Sequence, residues 1–153
     1  MLDIHLERTR GDTLEFVALA GRLTNFLAEL NGERNSFYAQ FNKVDDSLHA
    51  VIALVDGSPV ACGAFRWVDD GVVEIKRMFS DPDLRGQGLG RQVLSELEKW
   101  AAELGAHRAV LETSKRLLPA VGLYQTSGYE VIDNYGPYVG VDDSVCMEKV
   151  LRN

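Results

Sequence analysis

The sequence predicts a mixed α/β (α+β) fold, in which a largely antiparallel sheet is packed against helices. Two features predict it. Between residues 49 and 79, apolar runs alternate with turns containing Asp-Gly, as consecutive antiparallel strands do. On either side of this stretch, leucine, valine and alanine recur every three or four residues, as on the buried stripe of a helix. The chain has 153 residues, 46% of them hydrophobic, so one domain spanning 1–153 with a sizeable core is expected.

Taken in order, the first element is a helix over residues 13–30. Leu14, Val17, Leu19, Leu23, Phe26, Leu27 and Leu30 fall mostly three or four apart, and Asp12 with Glu15 resembles a capping box. Residues 35–41 suit a short second helix or a packed loop. Three strands follow, over 49–55, 59–68 and 72–79, joined by turns at Asp56-Gly57-Ser58 and Asp69-Asp70-Gly71, where glycine tolerates a positive φ. A loop over 80–84 leads into a glycine-rich turn and then a helix over 88–104, with Leu89, Val93, Leu97, Trp100, Ala101 and Leu104 on one stripe. Gly105 caps its end. A strand over 108–112, a short helix over 119–127 with Pro119 in its first turn, and a strand over 129–132 come next. A Gly- and Asp-rich loop over 134–144 precedes the last strand, 145–150.

Charge excludes one class of partner. Lys and Arg number 16 against 23 Asp and Glu, so 16 − 23 = −7, which opposes binding to a phosphate backbone. Residues 1–8 hold no apolar run of signal-peptide length, and no later stretch reaches the ~20 apolar residues of a membrane span, so a soluble cytoplasmic protein is expected. Cys62 and Cys146 lie in strand-like apolar runs and read as buried free thiols. His5, His49 and His107 are scattered, and no Cys or His pair has ligand spacing, so no metal is expected.

The chemistry concentrates in Arg85-Gly86-Gln87-Gly88-Leu89-Gly90, which follows a strand and opens straight into a helix. Small residues there let backbone N–H groups face a ligand, and a helix N-terminus carries partial positive charge, so the turn suits a phosphate or pyrophosphate. Arg85 and Arg91 add full charges. A dinucleotide fingerprint counted from Gly86 requires glycine where Arg91 stands, and a Walker A loop requires a Lys after the glycines that this chain lacks. A turn built for structure alone is disfavoured, because each glycine weakens a helical segment by about 1 kcal/mol.

Arg85-x-x-Gly88-x-Gly90 resembles the Q/R-x-x-G-x-G/A signature of the GNAT acetyltransferase superfamily, and the similarity extends to both sides. Residues 74–79, Glu-Ile-Lys-Arg-Met-Phe, resemble that family's fourth strand; Leu111-Glu112-Thr113 resembles its fifth. Residues 120–129, from Ala120 through Leu123-Tyr124 to Gly128-Tyr129, resemble its A-x-x-L-Y-x-x-x-G-Y/F helix. These blocks cover roughly residues 48–150 in the family's order and spacing. One departure stands: Leu117, seven positions before Tyr124, occupies a place where many relatives carry Asn or Gln, so a side-chain contact to the cofactor is not carried over there.

The resemblance implies a twisted sheet of six to seven strands with about four helices, and direct transfer of an acetyl group from acetyl-CoA to a primary amine. It implies coenzyme A in a V-shaped opening between the fourth and fifth strands, its pantetheine arm on backbone near Met78 and Phe79, its pyrophosphate on Gly86, Gln87, Gly88, Leu89, Gly90 and Arg91, with Arg85 beside them. Glu74 is the first candidate base and Glu112 the second, while an ion pair of Glu74 with Lys76, or an exposed face, is the structural alternative. Tyr124, in the family's tyrosine position, is the candidate acid at the sulfur. The first-helix region and the last loop flank the acceptor in this family, which makes Phe37, Tyr38, Tyr135 and Tyr138 candidates for its pocket wall. The resemblance leaves a homodimer open. The other function class compatible with these residues is a non-catalytic acyl-CoA-binding module, which would need neither Glu74 nor Tyr124.

Overall fold

The computed structural model describes residues 2–41 and 43–151. Its strands are β1 (Ile4–Arg10), β2 (His49–Val55), β3 (Ser58–Asp69), β4 (Val72–Ser80), β5 (Arg108–Ser114), β6 (Glu130–Ile132) and β7 (Ser144–Val150). Its α-helices are α1 (Leu14–Asn31), α2 (Asn35–Ala39), α3 (Leu89–Glu103) and α4 (Leu118–Thr126). The strands form one seven-stranded sheet in the order β1-β2-β3-β4-β5-β7-β6. β1 with β2, β2 with β3, β5 with β7 and β6 with β7 pair antiparallel, whereas β4 and β5 run parallel. The parallel pair requires a crossover, which the long α3 supplies. This is the mixed, mostly antiparallel architecture expected from the sequence.

Turn chemistry explains the hairpins. Asp56 and Gly57 both have positive φ, 51° and 81°, and the ladder closes at Val55 opposite Ser58, so the two-residue loop twists with its strands. Gly71 has a φ of 71°, and a Cβ there would lie 2.4 Å from the His107 ring, so the position admits only glycine on two counts.

Three features differ from expectation. β1 is absent from the sequence reading: it is an edge strand whose burial alternates only weakly, and its single ladder to β2 supplies the pairing that its composition does not advertise. Helix α1 starts from Thr13, not from a capping box at Asp12; Asp12 instead accepts two bonds from the Arg10 guanidinium at 3.1 and 3.0 Å. Its buried stripe is also narrower than its periodicity implies, with Leu14, Val17 and Phe26 exposed.

The fold divides into two compact units, one of Met1–Arg66 with Lys76–Leu97 and the other of Trp67–Ile75 with Glu98–Asn153. In the first, Phe16, Leu19 and Ala20 of α1 pack with Leu48 and with Ala50, Ile52, Cys62 and Ala64 of the sheet. In the second, Val73, Ala109, Leu111, Cys146 and Met147 are almost fully buried. No helix among the described residues is long and apolar enough to cross a membrane.

Within β4, Arg77 takes a left-handed backbone conformation. It is not glycine, yet its φ is 57°, and its side chain is buried. Its Nη2 donates to the Ala20 carbonyl and to Thr24 Oγ1 on α1, both at 2.5 Å, while Cys62 Sγ donates to its carbonyl at 3.4 Å. A left-handed residue with a side chain costs roughly 1–3 kcal/mol, so the conformation persists because these bonds over-determine it.

Candidate active site

In the first unit the glycine-rich turn stands open. Arg85, Gly86, Gln87 and Gly88 are exposed, and Gly86 and Gly88 share a φ of 80°. A Cβ on Gly86 would meet nothing within 4 Å, and one on Gly88 only Gln92 Nε2 at 3.9 Å. Backbone conformation, not crowding, therefore calls for glycine at both positions. Gln92 N–H makes the first helical bond, to the Gly88 carbonyl at 3.0 Å. The N–H groups of Leu89, Gly90 and Arg91 lie ahead of it, where a helix offers no acceptor. Leu89 contributes only backbone, since its side chain is 2% exposed and anchors the helix start in the core. Arg91, by contrast, is exposed. N–H groups at a helix start suit a phosphate or another anion.

The approach to the turn is tied down. Asp81 N–H donates to the Val60 carbonyl at 2.8 Å, and the Asp81 carboxylate accepts from Asp83 N–H at 2.9 Å and faces Arg22 at 3.6 Å. Arg22 also lies 5.0 Å over the Phe79 ring. Met78 sits where a Cβ on Gly63 would be, 2.4 Å from its Sδ, so that glycine makes room for the methionine. Tyr38 is buried on α2, edge-on to Phe37 at 5.2 Å, and Phe37 meets Phe41 in the same way at 5.3 Å. Lys76 Nζ donates to the Phe41 carbonyl at 2.6 Å.

In the second unit the ionisable candidates converge. Glu74 on β4 is 3% exposed, and its Oε2 accepts from the Tyr135 hydroxyl at 2.5 Å. Burial, then the Glu74 charge, pushes the Tyr135 phenol well above the ordinary tyrosine range, so it keeps its proton. Tyr138, itself buried, meets the Tyr135 ring edge-on at 5.9 Å. Glu112 on β5 accepts from Ser144 Oγ at 2.6 Å. Cys146 lies opposite Glu112 in the β5–β7 register, and its thiol is pushed up first by burial, with Glu112 and Glu74 adding to the effect. Tyr124 on α4 is buried, with its ring edge-on to Tyr129 at 5.9 Å; burial, then Glu112, pushes its phenol up as well.

Glu74, Glu112, Tyr124 and Tyr135 thus share one cluster, joined by Ser144 and Cys146, neither of which the sequence reading assigned to a site. Their only sequence signal is adjacency in a strand that closes beside Glu112. Chemically, the cluster sets a buried carboxylate, Glu74, and a half-buried one, Glu112, both able to accept protons, beside phenols that keep theirs and can donate.

The sequence profile of the Acetyltransferase (GNAT) family matches residues 18–129, and the chain belongs to that family. It is 31% identical over 137 residues to an IAA acetyltransferase of Azospirillum brasilense, covering 88% of this chain and 90% of the relative. A solved structure assigned to the acyl-CoA N-acyltransferases, from Klebsiella pneumoniae subsp. pneumoniae MGH 78578, superposes with a TM-score of 0.82 at 29% identity, covering 97% of this chain and 98% of the other. A GNAT family acetyltransferase of Elizabethkingia anophelis, solved with acetyl-CoA bound, shares the fold, with a TM-score of 0.69 at 18% identity and coverage of 97% and 98%.

Proposed function

We propose that residues 1–153 work as a single acetyl-CoA-dependent N-acetyltransferase domain that moves an acetyl group to a primary amine of a small molecule or peptide by direct attack. The thioester of acetyl-CoA supplies the activated acetyl group. Residues 86–91 hold its pyrophosphate through backbone N–H groups, with Arg85 and Arg91 adding charge, and the backbone at Met78 and Phe79 holds the pantetheine arm.

Glu74 accepts the proton of the attacking amine. An amine of pKa about 10.4 costs roughly 4–5 kcal/mol to deprotonate at pH 7, so a positioned base has a large effect to supply. Tyr124 donates to the departing sulfur. Its raised pKa makes full proton transfer to a thiolate of pKa about 8.5 uphill, so the phenol acts chiefly as a hydrogen-bond donor there. Burial first, and then the Glu112 charge, keep that phenol neutral. Tyr38, Tyr135 and Tyr138 belong to the acceptor wall.

The observation that carries this reading is the buried Glu74 carboxylate with its phenolic partner. Burying a carboxylate is costly, and a module that only bound acyl-CoA would have no use for one. The test is release of coenzyme A from acetyl-CoA against pooled amines, amino acids, polyamines, aminoglycosides and IAA, the last because of the A. brasilense relative's name. Acceptor-dependent release that Glu74→Gln suppresses supports the reading. Acetyl-CoA binding without release by any pool would favour the binding module.

A further inference from the structure

We propose that the loop joining β6 to β7 is a positioning device for both carboxylates, and that Asn134 is the residue that organises it. This inference rests on the transferase reading for its kinetic consequences, but not for its geometry.

The two hydroxyls that meet the carboxylates come from opposite ends of this one loop: Tyr135 donates to Glu74 at 2.5 Å and Ser144 to Glu112 at 2.6 Å. Their separation is therefore set by the loop's shape. That shape converges on one side chain. Asn134 Nδ2 donates to the carbonyls of Tyr138 at 3.0 Å, Val141 at 3.2 Å and Ser144 at 3.2 Å. A carbonyl only accepts, so the amide nitrogen must face all three, and its two hydrogens are shared among three acceptors. Asn134 is also the chain neighbour of Tyr135. A single amide thus ties the residue beside one hydroxyl to the residue that bears the other.

The far end of the loop is fixed independently. Asp143 accepts from Ser114 Oγ at 2.8 Å and from Arg116 Nε and Nη2 at 3.0 and 3.1 Å, and its carbonyl accepts from Lys115 N–H at 2.8 Å. Ser114 ends β5, the strand that carries Glu112. The Ser144 end is thereby held by the same strand as its carboxylate, and the Tyr135 end is referred back to it through Asn134. An Asn134 that merely closed a surface loop would leave the hydroxyl-to-carboxylate bonds, and the turnover that depends on them, unchanged when removed.

The decisive experiment is a cycle of variants. Asn134→Ala is expected to lower kcat between about tenfold and about a hundredfold, the range for small misplacements of a reacting group, with the KM for acetyl-CoA unchanged. In a Tyr135→Phe/Ser144→Ala background the same substitution is expected to change kcat by less than about twofold, because the bonds it acts through are already gone. An equal loss in both backgrounds, or no loss in either, overturns the inference. Asn134→Gln, which keeps an amide one methylene further out, replaces Asn134→Ala should the latter fail to fold, with the same two outcomes.

A second readout does not depend on activity. The Tyr135 phenolic proton, in a short bond to a carboxylate, is expected as a downfield proton resonance in NMR that disappears in Tyr135→Phe and is lost or shifted in Asn134→Ala. An unmoved resonance in folded Asn134→Ala overturns the inference even if no acceptor is ever found. A wild-type protein that acetylates nothing defeats the transferase reading instead, and the resonance still decides the role of Asn134.

Discussion

Tyr135 reaches across 61 residues of chain to donate its phenolic hydrogen to Glu74 Oε2 at 2.5 Å. If Glu74 is the proposed base, it should show itself in the pH profile. Glu74→Gln is expected to lower kcat/KM by about 10²- to 10⁴-fold near neutral pH and to recover part of the loss as rising pH deprotonates the amine without help. A uniform loss at every pH would assign Glu74 to positioning, and an undiminished rate would move the proton acceptor to Glu112 or to solvent.

Acetyl-CoA should stabilise the fold. At one hundred times its dissociation constant a ligand adds about 2.7 kcal/mol, a shift readable in a thermal melt. Gly88→Asp should abolish that shift, because a carboxylate would stand where the pyrophosphate is proposed to lie and at a φ of 80° that a side chain resists. A larger shift with NAD or ATP than with acetyl-CoA, or an undiminished one in the variant, would reject the assigned turn.

Tyr124→Phe should slow the chemistry and leave acetyl-CoA affinity nearly intact. The loss of kcat should sit at the low end of the usual range, about 10²-fold, since the thiolate can leave without full protonation. A parallel fall in affinity would make Tyr124 a binding residue, and full activity would remove it from the mechanism.

Cys62 sets an alkaline limit. Burial pushes its thiol from 9.0 up to about 12, with the Arg77 charge opposing the rise. The unfolded chain therefore loses this proton before the folded one does. Stability is unaffected below about pH 9 and falls between about 9 and 12, by up to about 1.4 kcal/mol per pH unit from this group. Chemical denaturation across that window should give a shallower slope for Cys62→Ala than for the wild type, with the remaining slope due to Cys146 and the buried tyrosines. Parallel slopes would show that Cys62 does not titrate on unfolding.

The meander and α3 were legible because their signals are local. Asp56-Gly57 can only turn, and the spacing of Leu89, Val93, Leu97 and Ala101 has one helical reading, which their burial matches. β1 was not legible, since an edge strand with polar residues on both faces owes its form to a partner 39 to 51 residues downstream, as Arg10 opposite His49 and Ile4 opposite Val55 illustrate. The same holds within the site. Glu74, Glu112 and Tyr124 were singled out as candidates through motifs, whereas Ser144 joins their cluster only through the register that sets it opposite Ser114 and through its bond to Glu112.

The left-handed residue Arg77 makes α1 a distant editor of β4. The strand turns left-handed at Arg77 because Thr24 and the Ala20 carbonyl grip its guanidinium, and Met78 and Phe79 follow directly along the chain. A laboratory selection for altered acyl preference would therefore be expected to return hits at Thr24, which touches neither the turn nor the carboxylates in any bond described above. Thr24→Val would keep the shape and withdraw the hydroxyl, leaving Arg77 a single helical carbonyl to hold. Such a substitution belongs in a library aimed at the backbone proposed for the pantetheine arm, even though a library drawn only around the expected ligand would leave it out.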